Sequence, residues 1–176
     1  EFSPLKKLRI VSSIRYDFFK YRFNNHLNSA SFSGSSDTVN NFSRISSKIG
    51  ATYNFSSKTG IYANYSEGFI PPQVTEMYTG VKVPDLVPSV VRNYEAGGWA
   101  EIIYNKLMVD ISLYDLQSTN EVISVRQDDG SFVNENAGET SHKGIEAGIR
   151  AKPARNLSFR FSGAYSEHKF VEYAEK

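Results

Sequence analysis

The stretch LMVDISLYD (residues 107–115) decides the fold, because its side chains alternate in polarity with a period of two. One set of alternate positions is apolar: Leu107, Val109, Ile111 and Leu113. The other set is mixed and carries a charge: Met108, Asp110, Ser112 and Tyr114. Successive side chains of a strand point to opposite faces of a sheet. The stretch therefore predicts a β-strand with one apolar face.

Six further segments alternate in the same way. They cover residues 8–18, 45–55, 61–66, 94–104, 144–151 and 157–166. The face opposite the apolar one is charged in most of them, with Arg9, Arg15, Lys48, Glu95, Glu101, Asp110, Glu146, Arg150 and Arg160. Helical periodicity is hard to find along the chain. The pattern predicts an all-β protein.

The predicted strands are long, at roughly 9 to 13 residues, against about 5–6 for an ordinary strand. Strands of about 9–11 residues suit a tilted crossing of a bilayer. Aromatic residues gather near strand ends on the apolar face, as in the girdles of transmembrane barrels. Tyr16 and Phe18 lie at one level, and Tyr53, Phe55 and Tyr104 lie at the other. A large water-soluble β-sandwich or barrel also alternates, and this reading stays open at this point.

The connections alternate between short and long. The short ones are residues 54–60, 103–107 and 152–156, and the long ones cover about 22–42, 69–92 and 117–141. Outer-membrane barrels have short turns on the periplasmic side and longer loops outside, so sorted loop lengths favour a membrane barrel over a sandwich. Inside the third long connection, Asp129-Gly130 predicts a tight hairpin turn between arms rich in valine and isoleucine. We expect this hairpin to extend the strand from Leu107 and its neighbour above the membrane.

Composition excludes several classes of protein. The 176 residues carry a net charge of +1 and no cysteine. The charge gives no support to nucleic-acid binding, and the missing thiols exclude disulfides and thiolate metal sites. No apolar run approaches about 18 residues, so we expect no transmembrane helix. The start EFSPLKK does not resemble a signal peptide.

Candidate catalytic and metal-binding groups are sparse. The histidines are His26, His142 and His168, and none stands at metal-ligand spacing from another. Asp128-Asp129 before a glycine predicts a turn rather than a calcium site. The chain contains no Gly-x-Ser-x-Gly motif of a nucleophile elbow. We therefore expect neither an enzyme nor a resident metal or cofactor.

Several motifs in order resemble one family. These are YANYSEGFIPP from residue 62, VPDLVPSVVRNYEAGGWAEI from residue 83, LMVDISLYDLQSTNEVISV from residue 107, and NENAGETSHKGIEAGIRAKPARNLSFRFSGAYS from residue 134. Together they are similar to the C-terminal β-barrel of TonB-dependent outer-membrane receptors of the ferric-siderophore type. The resemblance covers nearly the whole chain.

The resemblance implies a fold and a location. The fold would be an antiparallel up-and-down meander of about seven long strands, part of a transmembrane barrel of about 22 strands. Residues 1–176 would form a partial barrel domain, an internal excerpt with no plug domain and no closing strand. The location would be the bacterial outer membrane. An excerpt has two unpaired strand edges, through which we expect it to self-associate.

The resemblance also implies a function. The receptor would bind and import a ferric siderophore or a similar iron complex, which is its transported ligand and not a cofactor. Its partners would be the lipid bilayer, that ligand and, through a missing N-terminal region, the TonB energy-coupling complex. Cobalamin, haem and a glycan stay open as other nutrients, although residues 69–88 lack the histidine expected in haem importers. A structural or adhesive β-barrel without transport is the alternative of another class.

Ligand contacts are expected in the outer loops. Pro71 and Pro72 lack the backbone donor that a strand ladder needs, so we expect the strand to end there and the loop to begin. Aromatic and cationic side chains can stack on and pair with a bulky, polar and anionic ligand. The candidates are Phe69, Tyr78, Lys82, Arg92 and Arg126.

Overall fold

A computed structural model describes residues 1–26, 37–78, 84–128 and 130–173. These form one antiparallel sheet of eight strands that pair in chain order. The strands are β1 (Phe2–Leu5), β2 (Leu8–Phe23), β3 (Thr38–Ser56), β4 (Thr59–Ile70), β5 (Ser89–Ile103), β6 (Leu107–Arg126), β7 (Phe132–Ala154) and β8 (Leu157–Tyr173), with one short helix, α1 (Val74–Tyr78). No helix in these described ranges has the length and apolar character to cross a membrane. The all-β up-and-down meander is thus confirmed.

All seven predicted segments are strands, but the strands are longer and there is one more of them. The seven long strands run from 12 residues in β4 to 23 residues in β7. The extra strand is β1 (Phe2–Leu5), which precedes the first predicted segment. Only Lys6 and Lys7 turn, because Leu5 already pairs with Leu8. Pro4 is accommodated because β1 is an edge strand in the described sheet, where a missing N–H is tolerated.

Tight turns lie at one end of the sheet, which we call the turn end. They occupy residues 6–7, 57–58, 104–106 and 155–156. Lys58 ties two of them together, because its Nζ contacts Glu101 at 2.7 Å and the side-chain oxygen of Asn105 at 2.8 Å. The same ammonium group lies 4.2 Å from the centre of the Tyr104 ring. The predicted short connections are confirmed.

The opposite end, which we call the loop end, carries the remaining connections. They are residues 24–37, 71–88 and 127–131. Within the third long connection, over 117–141, the predicted hairpin is confirmed, because β6 and β7 stay paired up to Arg126 and Phe132. The connection itself is a tight turn in which Gly130 has a φ of 83°, a conformation that favours glycine. The region therefore projects as a hairpin that extends both strands.

Each side of the sheet has its own character. On one side, which we call the apolar face, cross-strand register aligns apolar residues such as Ile49, Tyr65 and Tyr94. These residues are exposed: Ile14 is 79% and Tyr165 71% accessible. A soluble sandwich would cover such a face with a second sheet, yet the described residues form a single sheet. The other side, the charged face, carries the predicted charged residues.

A row of ion pairs ends the apolar face toward the loop end. The pairs are Arg92–Glu67 at 3.6 Å, Lys143–Asp115 at 3.3 Å and Lys169–Glu167 at 2.8 Å. The first two join adjacent strands, and the third lies within β8. Glu67 and Arg92 stand two residues beyond Tyr65 in β4 and Tyr94 in β5, which end the apolar pattern of those strands. Aromatic side chains followed by charges mark the transition from apolar to aqueous surroundings.

Glycines on the charged face leave room for large side chains of the neighbouring strand. A Cβ atom at Gly97 would lie 2.6 Å from the Ile111 carbonyl oxygen and 2.8 Å from the Tyr62 ring. A Cβ atom at Gly144 would collide with the end of the Tyr114 side chain. Each tyrosine is the cross-strand partner of its glycine. The rings therefore lie flat across the sheet, in space that any larger residue would fill.

Candidate functional site

The connection between β4 and β5 forms a strap over the loop end of the sheet. We define the strap as residues 71–88, of which 79–83 lie outside the described residues. As expected, β4 ends at Ile70, directly before the two prolines. The helix α1 was not predicted. Its first turn is held by Glu76, whose carboxylate accepts a hydrogen bond from the Gln73 N–H at 2.6 Å.

The strap contributes two of the four residues of the small apolar core cluster in the described chain. Met77 is fully buried and packs in a cluster with Phe42, Phe69 and Leu86. Tyr21 from β2 and Val122 from β6 pack against this cluster. Burial of one such side chain contributes about 1.5–3 kcal/mol. The cluster joins the strap to strands on both sides of it.

Tyr78 fastens the end of α1 to the β2–β3 pair. Its ring stacks on Phe23 with a centroid distance of 4.6 Å and an interplanar angle of 3°. Its hydroxyl donates a hydrogen bond to the side-chain oxygen of Asn40 at 2.8 Å. Burial, followed by the nearby Tyr21, raises the pKa of Tyr78, so the hydroxyl stays protonated and able to donate.

The projecting β6–β7 hairpin holds the strap from the other side. The Asn134 amide donates to the Glu76 carbonyl at 2.8 Å. The Asn136 side chain accepts from the Val87 N–H at 2.8 Å and donates to the Val87 carbonyl at 2.8 Å. It also donates to the Asn120 carbonyl at 2.7 Å. Asn120 has a φ of 58°, at the point where the β6–β7 register shifts.

A cavity of about 260 Å³ lies between the strap and the charged face of the sheet. Its walls come from the strap, from β5 and from β6: Ile70, Pro71, Pro72, Gln73, Glu76, Ser89, Val91, Leu116, Ser118, Glu121 and Val122. Two carboxylates, Glu76 and Glu121, are part of this lining, and Glu121 accepts a hydrogen bond from Thr140 at 2.9 Å. The cavity can hold a small polar group but is small for a whole siderophore-sized ligand.

The four candidate ligand contacts that the structure describes do not converge on one point. Phe69 is buried in the strap cluster, and Tyr78 packs against Phe23. Arg92 lies in β5, where its Nε contacts Glu67, a carboxylate that Arg44 also approaches at 3.7 Å. Arg126 ends β6 and is exposed near the tip of the hairpin. Lys82 lies outside the described residues.

The register places two histidines together that are 26 residues apart in sequence. His142 in β7 lies directly opposite His168 in β8, and their Nδ1 atoms are 2.5 Å apart. His26 lies at the start of the β2–β3 connection and is exposed. Spacing along the chain did not reveal this pair, because only strand register creates it. The turn at residues 155–156 was the one feature of the sequence from which this pairing could have been worked out.

The sheet is a meander of long strands with one exposed apolar face and one charged face. Its longer connections lie at one end. These features are those of part of a large transmembrane-type β-barrel. The family model of the TonB dependent receptor-like β-barrel matches residues 1–175. The chain belongs to this family of transport receptors of the bacterial outer membrane.

Solved structures share the fold at low sequence identity. The siderophore receptor PiuA from Acinetobacter baumannii aligns with a TM-score of 0.73 and 15% identity over 97% of this chain and 24% of that one. The ferric yersiniabactin uptake receptor FyuA from Yersinia pestis gives 0.71 and 15%, over 97% and 26%. The copper transporter OprC gives 0.73 and 16%, over 94% and 26%.

This chain therefore spans about a quarter of the length of the structures it matches. No curated protein sequence matches it.

Proposed function

We propose that the chain forms part of the wall and outer surface of a receptor that binds and imports a ferric siderophore or a similar iron complex. The uncovered apolar face is the observation that carries the first half of this proposal. In the complete barrel that face contacts lipid, and the charged face lines the interior. The loop end faces the outside, because the longer connections and the projecting hairpin lie there.

The strap supports the second half of the proposal. A ligand that arrives from outside meets the loop end first, and the strap and hairpin form a preorganised surface there. Fixed surfaces bind with a smaller entropic cost than mobile loops do. PiuA is a siderophore receptor and FyuA a ferric yersiniabactin uptake receptor, and the shared fold favours ferric siderophores as the ligand class for this chain.

The five candidate contacts take different parts in this proposal. Arg126 is exposed and can pair with an anionic ligand, and Lys82 and Arg92 are further cationic candidates. Phe69 and Tyr78 act mainly by holding the strap in place. Energy for import comes from the TonB complex, which engages a part of the receptor outside this chain.

An uptake comparison tests the proposal. The complete receptor is deleted from its host, and uptake of radioactive iron is measured under iron limitation with a panel of ferric siderophores. We expect the uptake of one ferric siderophore to be lost and to be restored by the complete receptor. Loss of cobalamin, haem or glycan uptake instead would assign another nutrient. Unchanged uptake of every nutrient would favour a structural or adhesive role.

A further inference from the structure

The charged face holds a cross-strand pair of imidazoles that the proposed import function does not use. His142 and His168 stand opposite each other on β7 and β8, and their rings are 4.7 Å apart between centroids at an angle of 63°. Directly opposed residues in a sheet have Cβ atoms about 4.5–5.5 Å apart. The pair is therefore held by backbone register and not by a loop.

The hydrogen bonding around His168 is compatible with that of a metal ligand. Its Nδ1 faces His142, while its Nε2 lies 3.0 Å from the Ser166 hydroxyl oxygen. Histidines that bind metals nearly always use one ring nitrogen for the metal and donate the other N–H to a neighbouring acceptor. Ser166 can accept from Nε2–H, which leaves the lone pair on Nδ1 directed at His142.

The two Nδ1 atoms can serve as adjacent ligands of one metal. Metal–imidazole bonds are about 2.0–2.1 Å long, so two nitrogens at 90° to each other on one metal stand about 2.9 Å apart. The two Nδ1 atoms, 2.5 Å apart, reach that value by a ring rotation. Ligands at 90° occur in square-planar, tetragonal and octahedral sites, and Cu²⁺ and Ni²⁺ prefer the first two. Cu²⁺ binds nitrogen ligands more tightly than the other divalent ions of its series.

We propose that His142 and His168 form a Cu²⁺ site on the interior wall of the receptor. The two Nδ1 atoms are adjacent ligands, water fills the remaining positions, and Ser166 orients His168. This site is separate from the import of a ferric complex. Loss of the site and loss of iron uptake are therefore distinguishable.

Copper titration of the complete, untagged receptor tests the site, with Cu²⁺–glycine as the probe and calorimetry and electron paramagnetic resonance as the readouts. We expect the double variant His142→Gln/His168→Gln to lose one equivalent of bound Cu²⁺ and the corresponding nitrogen couplings. Ser166→Ala should weaken the same equivalent about tenfold, the lower end for a group that orients a ligand. His26→Gln should change neither readout. Equal stoichiometry in the double variant and the unmodified receptor would overturn the site.

A second measurement needs no variant. Cu²⁺ with ascorbate generates oxidants at the bound metal, and peptide mass spectrometry then locates the oxidised histidines. We expect oxidation of His142 and His168 in clear excess over His26. Equal oxidation of the three would contradict the proposal. Uptake of the ferric ligand should be the same in the double variant and the unmodified receptor.

Discussion

The side-chain amide of Asn136 forms two hydrogen bonds with the backbone of Val87, one through its oxygen and one through its nitrogen, each at 2.8 Å. Asn136 of β7 thus supplies Val87, at the end of the strap, with the two hydrogen bonds that a neighbouring strand would otherwise make. Its third bond, to the Asn120 carbonyl, fixes the amide where the β6–β7 ladder is irregular. The strap and the hairpin therefore form one unit at the loop end.

Replacing Asn136 by alanine should loosen the end of the strap without unfolding the barrel. One lost hydrogen bond costs about 1 kcal/mol, which corresponds to about a fivefold change in an equilibrium constant. We expect hydrogen exchange of the Val87 amide to accelerate at least fivefold. Gln127→Ala is the control, because that side chain lies at the hairpin tip, 3.5 Å from the Val125 carbonyl. Equal exchange in both variants would show that Asn136 does not hold the strap.

Tyr78 allows the hydrogen bond and the ring contact to be separated. Tyr78→Phe keeps the stacking on Phe23 and removes the donor to Asn40, so we expect about 1 kcal/mol of local destabilisation. Tyr78→Ala removes both and should expose α1 to protease. Tyr104→Phe, at the exposed turn end, serves as the control. Protection of α1 that is the same in Tyr78→Ala and the unmodified receptor would contradict this role.

Two glycines provide a matched test of close packing on the sheet. A methyl group at Gly97 meets the Ile111 carbonyl and the Tyr62 ring, whereas a methyl group at Gly68 would lie 3.8 Å from the Val91 Cβ atom, an ordinary contact. Overpacking typically costs about 1–3 kcal/mol. We expect Gly97→Ala to lower the urea midpoint of the complete receptor and Gly68→Ala to leave it unchanged. Equal urea midpoints in the two variants would contradict close packing at Gly97.

Arg92 and Arg126 should differ in their effect on ligand affinity. Arg92 contacts Glu67 and lies on the same side of β5 as Tyr94, whereas Arg126 is exposed at the end of the hairpin. We expect Arg126→Ala to lower the affinity of the complete receptor for its ferric ligand, and Arg92→Ala to leave it within about twofold. The ion pair of Arg92 is partly exposed, and such pairs contribute about 0–1 kcal/mol to stability. A larger loss in Arg92→Ala would reverse the assignment.

The segment on its own should associate. In the described sheet, β1 and β8 each pair with one neighbour only, and an open strand edge is a template for pairing with another chain. Light scattering of residues 1–176 in detergent should give oligomers. A stable monomer that conducts ions in a bilayer would instead indicate that eight strands close into a pore.

The strands were predictable, and their full lengths were not. The period of two identifies β6 where apolar side chains alternate, as in Leu107 to Leu113. Beyond that level polar residues interrupt the alternation, and the pairing with β7 shows that the strand runs on to Arg126. The helix α1 has five residues, too few to be stable by itself. It forms because Met77 is buried against strands that are distant in sequence.

The candidate site was harder to predict than the fold. The histidine pair depends on register: His142 and His168 each stand thirteen residues from Arg155, in the turn between β7 and β8. A slip of one residue would put one of them on the other face, and the irregularity between Ala151 and Ala154 fixes the choice. The charge of Arg92 suggested a ligand contact, but its ion pair with Glu67 on the neighbouring strand is seen only in the structure.

The glycines opposite Tyr62 and Tyr114 affect the width of the barrel interior. Rings that project from a wall narrow the bore by their own length, whereas rings laid along the wall add little more than their thickness. If the charged face lines the interior, as we propose, a glycine on the neighbouring strand widens the bore without changing the strand count. In that wall, the smallest residues would limit how far the tyrosine rings reach inward.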